Sequence, residues 1–214
     1  MKLQAPKLPN RADLTPCDAT QLMSETALES IRLQGVDASN LPIQSLSIDE
    51  AILEKVIFSG ATLDRFSLSD AELLGCDFTA THCPGASLIR MQVTGGRLTG
   101  IDLSRSTLKD IIFDGCKLDM ANFRYAKLTR VTFVDCLLTE TDFQAAELSE
   151  VTFQSSILDR VEFGHCKVKM SDARTSQLLD IRGWEYLKGI TIDSLQLMAV
   201  APQLALEIGI TIKD

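Results

Sequence analysis

Apolar residues recur every five positions along most of the chain. From Leu33 to Leu178 each fifth residue is apolar, and no insertion or deletion interrupts the register. Two residues earlier stands a second series of mostly small or β-branched side chains, such as Ala61, Val131 and Cys136. The other three positions are largely polar. An α-helix repeats its apolar face every 3.6 residues and a strand every 2, so neither element alone holds a period of five. The pattern therefore predicts a solenoid.

Glycine and asparagine or aspartate mark the predicted corners of this solenoid. Seven of the twelve glycines stand two residues after an apolar centre, in a position that other repeats fill with residues such as Asn40 and Asp110. These residue types tolerate a positive φ, which the third residue of a type II turn requires. In Pro84-Gly85, Gly85 occupies this third position, and Pro84 has the φ that the second turn residue requires. Each pentapeptide is thus predicted to be a short extended piece followed by a tight corner.

Segments such as Ala121-Asn122-Phe123-Arg124-Tyr125 and Ala61-Thr62-Leu63-Asp64-Arg65 resemble the A-(D/N)-L-x-x unit of the bacterial pentapeptide-repeat family. The resemblance covers residues 31–180. It implies an all-β solenoid, a right-handed quadrilateral β-helix in which four pentapeptides form one square coil. Thirty units in one register then give about seven and a half coils, with a C-terminal α-helical cap. At ~4.8 Å per coil the rod is roughly 36 Å long.

Residues twenty positions apart are expected to stack on one side of the coil. This arrangement places Phe113, Phe133 and Phe153 opposite a second column of phenylalanines, and leucines on the two sides between them. The second column contains Phe123, Phe143 and Phe163. Large rings that face each other, with leucines on the remaining sides, satisfy the close packing of a protein interior.

The five-residue pattern divides the chain into three predicted parts. Residues 1–30 form an N-terminal arm with a short cap around 24–30, residues 31–180 form the β-helix, and residues 181–214 form a C-terminal helical cap and a possible dimerisation segment. The first part contains Pro6, Pro9 and Pro16, which favour an irregular arm. Its expected role is to cover the open strand edge at the end of the coil.

The C-terminal segment has the sequence signals of a helix. Asp193 or Ser194 is a suitable N-cap, Gly209 is a C-terminal stop, and Pro202 predicts a kink or a division into two helices. Isoleucine-rich segments at 190–192 and 210–212 predict short strands on either side. The tail resembles the C-terminal cap of bacterial pentapeptide-repeat proteins, some of which pair end to end. It is also more apolar than a cap alone requires, which predicts a homodimer. The candidate cap and dimer residues are Trp184, Tyr186, Leu187, Leu195, Met198, Leu204 and Ile208.

Composition fits one soluble domain with a continuous core, since 45% of the residues are hydrophobic. No apolar run is long enough for a signal sequence or a membrane span, so a cytoplasmic location is expected. The formal charge of −8 argues against direct binding of nucleic acid, which requires a basic patch. Five of the six cysteines occupy inward positions and are interpreted as small buried hydrophobes. Cys116 and Cys136 lie one coil apart, and whether they ever oxidise is left open.

The polar residues form no recognisable catalytic, metal or cofactor site. His82 and His165 are predicted to lie on one outer side about four coils apart, too far for a shared site. Carboxylates such as Asp77, Asp102 and Asp142 occupy outward positions without an enclosing pocket. The sequence therefore predicts a protein that is not an enzyme and has no cofactor.

One side of the predicted coil has apolar residues in outward positions and little charge. It is the side whose inward residues include Leu73, Phe113 and Phe133. Apolar patches on a surface often mark interaction sites. The alternative is that these positions are only partly exposed and favour good strand formers. The candidate docking residues are Ile52, Leu74, Ile112 and Val134.

Two functions are compatible with these features. The first is a rigid interaction or structural module that binds a protein partner. The second is implied by family members that resemble duplex DNA, bind DNA gyrase or topoisomerase IV, and protect them from quinolones. The overall acidity favours the second function, but acids and bases alternate along residues 31–180, as in Asp64 and Arg65 or Lys109 and Asp110, without a stripe of one sign.

Overall fold

The computed structural model describes residues 2–24, 26–207 and 209–211, and shows a parallel β-solenoid with a C-terminal helix. Its strands are β1 Thr15–Cys17, β2 Ala27–Gln34, β3 Pro42–Gln44, β4 Ser47–Glu54, β5 Thr62–Asp64, β6 Ser67–Leu74, β7 Ser87–Thr94, β8 Thr107–Asp114, β9 Lys127–Val134, β10 Glu147–Ser149, β11 Thr152–Gln154, β12 Ile157–Asp159, β13 Lys167–Lys169, β14 Ser171–Asp172, β15 Gln177–Leu179 and β16 Ile190–Thr191. The helices are α1 Ala19–Ser24 and α2 Ser194–Glu207, with 3-10 turns at Arg11–Asp13 and Trp184–Tyr186.

Strands pair in parallel with a register of twenty residues. Leu53 in β4 lies beside Leu73 in β6, and Phe113 in β8 lies beside Phe133 in β9. Isolated bridges continue the same register on the other sides, as between Asp102 and Asn122. One coil therefore contains four pentapeptides, as the stacking of the sequence predicts.

We number the sides of the coil by their inward columns. Side 1 contains Ile48, Leu68, Leu88, Leu108, Leu128 and Leu148; side 2 contains Leu53, Leu73, Val93, Phe113, Phe133 and Phe153; side 3 contains Phe58, Phe78, Leu98, Leu118, Leu138 and Leu158; side 4 contains Leu63, Cys83, Leu103, Phe123, Phe143 and Phe163. From Leu33 to Leu178 every fifth residue is buried, except Val168, which is half-buried. The predicted register of inward residues is confirmed.

Every fifth residue from Ser30 to Asp180 has a positive φ, whether or not it is glycine. The corners thus coincide with the positions predicted from glycine, asparagine and aspartate. Residues such as Tyr125 and Arg130 adopt this conformation as well, with φ of 60° and 53°. The stacking of adjacent coils therefore imposes the corner on residue types that seldom choose it alone.

The solenoid is longer than the repeat pattern indicates, with about nine turns rather than the predicted seven and a half. At the start, β1 pairs with β2 from Thr15 opposite Ile31. At the end, β16 pairs with β14 from Ile190 opposite Ser171. The sequence at both ends has lost the period of five, but its backbone still adds to the parallel ladder.

The N-terminal end is covered by α1, just before the segment 24–30 that was predicted as the cap. Leu22 is buried and belongs to the continuous apolar core, so its side chain closes the first coil. The strand β2 already begins at Ala27. The prediction placed the cap a few residues too late, because Leu28 already occupies an inward position of the coil and pairs with Ile48.

The C-terminal helix matches the predicted caps but not the predicted break. Asp193 Oδ1 accepts hydrogen bonds from the backbone N–H groups of Leu195 and Gln196, both at 2.9 Å. Gly209 has φ 82° after the end of α2. Pro202 lies inside one helix, so the predicted division into two helices is wrong. The missing amide of Pro202 removes one helical bond, the one to the carbonyl of Met198, which is an exposed residue.

Of the two isoleucine-rich segments, only the first forms a strand. Ile190 and Thr191 pair with the last coil as β16. Ile210 and Thr211 are outside any strand, and Ile212 lies outside the described residues. The prediction of a second strand fails for Ile210 and Thr211, where no sheet edge pairs with them.

Candidate interaction surfaces

The apolar strip predicted on side 2 is only partly accessible. Leu74, Ile112 and Val134 are half-buried, and Ile52 is 1% exposed although its position points outward from the coil. The strip is therefore not a continuous exposed surface: its first member is covered.

The N-terminal segment lies along the corner between sides 1 and 2, which we call corner 1–2 and define by Glu50, Asp70, Arg90, Asp110 and Arg130. The backbone N–H of Gln4 donates to Asp110 Oδ1 at 3.2 Å, and that of Lys7 donates to Asp70 Oδ1 at 2.8 Å. We call residues 2–14 the strap, because they run across several coils before β1 begins. The prediction of an irregular arm did not include this position.

Further along the strap, Arg11 continues the contacts with the rod. Its guanidinium contacts Glu72 Oε2 at 3.1 Å and Glu54 Oε1 at 3.6 Å. Glu54 also accepts a hydrogen bond at 2.8 Å from Arg32, which lowers its pKa. The strap is thus connected to successive coils through carboxylates.

Beneath the strap, corner 1–2 contains two ion pairs between adjacent coils. Arg130 donates to both carboxylate oxygens of Asp110, at 2.6 and 2.8 Å, and Arg90 contacts both oxygens of Asp70. Asp70, Asp110 and Arg130 are buried, although corner residues face outward. Hydrogen bonds from the arginines hold the pKa of Asp70 and of Asp110 below the ordinary value. The sequence contains one indication of these pairs: each aspartate is followed by an arginine at the same position of the next coil.

Outward aspartates support the backbone within their own pentapeptide. Asp102 Oδ1 accepts from the N–H of Ser104 at 3.0 Å, and Asp142 Oδ1 accepts from that of Gln144 at 2.7 Å. Asp77 makes the same bond two residues onward, with Thr79. This short side-chain-to-backbone bond gives the aspartate or asparagine of the repeat unit a structural role. These carboxylates were predicted to be merely solvated.

Buried hydroxyl and thiol groups bond to the backbone of the preceding coil. Thr81 donates to the carbonyl of Phe58 at 2.7 Å, and Cys116 Sγ lies 3.4 Å from the carbonyl oxygen of Val93. Cys76, Cys83, Cys116, Cys136 and Cys166 are free and buried, and burial raises the pKa of Cys83 and of Cys166 to about 12. A thiol in this environment stays protonated, and it packs as a small side chain that also bonds.

The histidines lie apart, each with a local partner. His82 Nδ1 is 2.9 Å from Asp102 Oδ2, and the ring of His165 packs against Tyr186 with centroids 4.7 Å apart. Within the described ranges, no group of three or more His, Cys, Asp or Glu side chains has the arrangement of a metal site.

The C-terminal cap joins the coil through two glutamines on one face of α2. Gln196 Nε2 donates to the carbonyls of Ala173 and Ser176, both at 2.7 Å, and Gln203 Nε2 donates to that of Ile181 at 2.8 Å. These carbonyls belong to the last coils, where no further strand is available to bond them. The side chains of the helix thus replace the missing ladder.

The predicted cap and dimer residues separate into two groups. Trp184 and Leu187 are buried, and Tyr186 and Leu204 are half-buried against the core. Leu195 and Met198 are 72% and 66% exposed. Ile208 lies outside the described residues. The first group closes the coil, whereas the side chains of the second are exposed to solvent.

Neither described helix combines the length and apolar character needed to cross a membrane.

Comparisons with known proteins agree with this architecture. A family model described as a pentapeptide repeat region matches residues 106–182, and another described as pentapeptide repeats (8 copies) matches residues 57–90. No curated protein matches the chain.

Two solved structures with similarity to the chain are HetL and QnrB1. HetL is a pentapeptide repeat protein involved in heterocyst differentiation regulation from the cyanobacterium Nostoc sp.; the alignment has 19% identity, a TM-score of 0.36, and covers 73% of this chain and 84% of HetL. Full-length QnrB1 is a plasmid-mediated fluoroquinolone resistance protein; the alignment has 19% identity, a TM-score of 0.42, and covers 88% of this chain and 94% of QnrB1. The repeat register of the sequence and the two matching family models show that the chain belongs to the pentapeptide-repeat protein family.

Proposed function

We propose that this protein is a non-enzymatic, rigid interaction module that forms a homodimer through α2 and docks a partner protein on side 2. The supporting observation is the position of apolar side chains outside the core. Of the eleven large hydrophobic residues that are exposed in the described chain, six lie between Leu179 and Ile210. An apolar surface concentrated in one place is typical of a protein interface.

The homodimer is supported by the two faces of α2. One face contains Gln196, Val200 and Gln203 and is engaged with the coil end, whereas Leu195 and Met198 project into solvent. A second copy is a suitable cover for this exposed face, because a twofold dimer places the same apolar patch of each copy against the other.

The homodimer is tested by sedimentation equilibrium of Leu195→Glu/Met198→Glu. We expect the dimer dissociation constant to rise at least tenfold, since each buried charge opposes association. Met120→Glu is the matched control, because Met120 is 62% exposed in the middle of the rod and should leave the dimer intact. If the double variant had the same mass as the wild type at all concentrations, this result would contradict a dimer through α2.

Docking on side 2 is supported by Leu74, Ile112 and Val134, which are half-buried on a side with few charges. The test is capture of interacting proteins by wild type and by Ile112→Glu/Val134→Glu, with identification by mass spectrometry. Leu137→Glu/Ile157→Glu is the control, because both residues are half-buried outward positions on side 3. We expect one partner to be lost only from the side 2 variant. Equal capture by both variants would refute docking at this place.

The alternative function, a DNA mimic that protects gyrase or topoisomerase IV from quinolones, is favoured by the formal charge of −8. The surface charges oppose it. Carboxylates of Asp70, Asp110 and Asp142 each contact an arginine, so the negative charge is neutralised locally. Gyrase supercoiling in the presence of ciprofloxacin distinguishes the two functions: rescue by the purified protein would support the mimic, whereas no rescue favours the interaction module.

A further inference from the structure

The strap crosses the coils in a fully extended form. Gln4 bonds to Asp110 and Lys7 to Asp70, so three residues of the strap span two coils. An extended chain advances about 3.3 Å per residue, and two coils advance about 9.6 Å, so the two distances agree. The backbone at Asn10, with φ −61° and ψ 142°, has the polyproline II conformation. The amides of Gln4 and Lys7 point to the same corner, since both donate to aspartates of corner 1–2.

The strap is basic, and the groups of the rod that contact it are carboxylates. Residues 2–12 contain Lys2, Lys7 and Arg11 and no acidic residue. The carboxylates that contact the strap belong to Glu54, Asp70, Glu72 and Asp110. Arg90 and Arg130 hold two of these carboxylates in place from the adjacent coil. The corner therefore presents fixed acceptors to a basic, extended chain.

The strap is bound differently from every coil. Coils are joined by backbone-to-backbone hydrogen bonds, as between Lys55 and Leu74, whereas the strap bonds described for residues 2–11 go to carboxylate side chains. The parallel ladder from β2 onward is complete without the strap. The strap thus lies along the outside of the coils, held by side-chain carboxylates and covalently linked to the rod at Leu14.

From this geometry we infer that corner 1–2 is a docking groove for an extended, basic, proline-containing peptide segment of a partner protein, and that the strap occupies this groove in cis until such a segment displaces it. The inference differs from docking on side 2 in its ligand and in its contacts. The ligand is an extended peptide, and the contacts are carboxylates, Asp70 and Asp110 at the corner and Glu54 and Glu72 beside it, and not apolar side chains. The partner segment needs two backbone amides three residues apart and a cationic side chain four residues further on.

The first experiment measures binding of a fluorescein-labelled peptide with the sequence Lys2–Asp13 to the full chain by fluorescence anisotropy. Gln4→Pro/Lys7→Pro removes both backbone donors of the strap and leaves the groove unchanged, whereas Gln4→Ala/Lys7→Ala removes the same side chains and keeps the donors. We expect the proline variant to bind the peptide at least tenfold more tightly than wild type or the alanine variant, because its own strap no longer competes. Equal affinities for all three proteins would overturn the inference.

Charge selectivity is tested with a peptide in which both lysines and the arginine are replaced by glutamate. We expect no measurable binding of this peptide to the proline variant; binding equal to that of the original peptide would show nonspecific association and overturn the groove. Peptide binding should persist in Ile112→Glu/Val134→Glu with the proline substitutions added, which separates this groove from the docking strip on side 2.

Hydrogen exchange of the intact wild-type chain supplies an independent measurement. The amides of Gln4 and Lys7 should exchange at least tenfold more slowly than in the strap peptide alone. Exchange at the rate of the free peptide would overturn occupancy of the groove. The molecular mass in solution tests whether the strap crosses to a second copy. If the proline substitutions halve the mass of the wild type and Met198→Glu does not, the strap binds a second copy, and occupancy in cis is overturned.

Discussion

The coils around Phe133 and the coils around Val93 have the same fold but are filled differently. In the first region, Phe113, Phe133 and Phe153 stack on side 2 with centroids 5.1 and 5.2 Å apart. Their edges meet the stack on side 4, with Phe133 6.4 Å from both Phe123 and Phe143 at 77°. Two ladders of parallel rings thus meet edge to face between the leucines of sides 1 and 3.

In the second region neither ladder is present. Val93 and Leu73 replace phenylalanine on side 2, and Cys83 and Leu103 replace it on side 4. An apolar cavity of about 30 Å³ lies among these side chains and extends to Phe113. It is large enough for a water molecule but offers no polar partner, so it should be dry. The backbone register thus does not depend on complete filling of the interior.

The largest effect is expected for Phe133→Ala, at the centre of the filled region. Its ring contacts two stacked rings and two perpendicular rings, which hold their positions and prevent collapse. We expect the free energy of unfolding to fall by about 3–5 kcal/mol, measured by urea denaturation. A loss below about 1 kcal/mol would mean that the ring does not fill the core.

The same substitution, leucine to alanine, in both regions measures how the difference in packing affects stability. Leu68 and Leu128 are both buried on side 1, but only Leu68 lines the cavity. Leu128→Ala should cost about 4 kcal/mol and Leu68→Ala about 2 kcal/mol, because side chains near an existing cavity can move into the space. Equal losses would show that the two regions respond alike to a new cavity.

A smaller contrast is expected between the two ion pairs of corner 1–2. Asp110→Asn leaves buried Arg130 without its counter-charge and should cost about 3 kcal/mol. Asp70→Asn should cost less, because the side chain of Arg90 is 26% exposed and water can solvate it. Both values come from urea denaturation at neutral pH.

The pH dependence gives a second readout for the same pair. Arg130 lowers the pKa of Asp110 in the folded protein, so the pair stabilises the fold above the ordinary value of 3.8 and this contribution is lost as the pH falls through the lowered value. The difference in stability between wild type and Asp110→Asn should therefore decrease in acid. A difference that stayed constant down to pH 2 would contradict ionisation of Asp110 as its cause.

The sequence predicted the parts of this fold that repeat. Position in the register was enough to place Phe133 inside and Arg130 at a corner, because each coil repeats the geometry of its neighbour. The interaction surfaces were less predictable. The bond of Lys7 to Asp70 depends on a segment without a period, whose path is set by a distant part of the chain. The burial of Ile52, at an outward position of the register, was likewise not predicted. Asp193 likewise gave a capping signal for α2, but the bonds of Gln196 to Ala173 and Ser176 depend on the position of the last coil.

The smallest and most informative change is Val93→Leu, which adds one methylene beside the cavity. We expect a gain of about 0.8 kcal/mol, because the added group occupies space that is now empty. Val131→Leu is the control in the filled region: Val131 is fully buried and does not line the cavity, so the larger side chain should destabilise by about 1–3 kcal/mol through overpacking. Opposite signs in urea denaturation would establish that the coils differ in filling and not in the strength of their ladders. A loss in both variants would instead show that the coil around Val93 is as closed to added volume as the coil around Phe133.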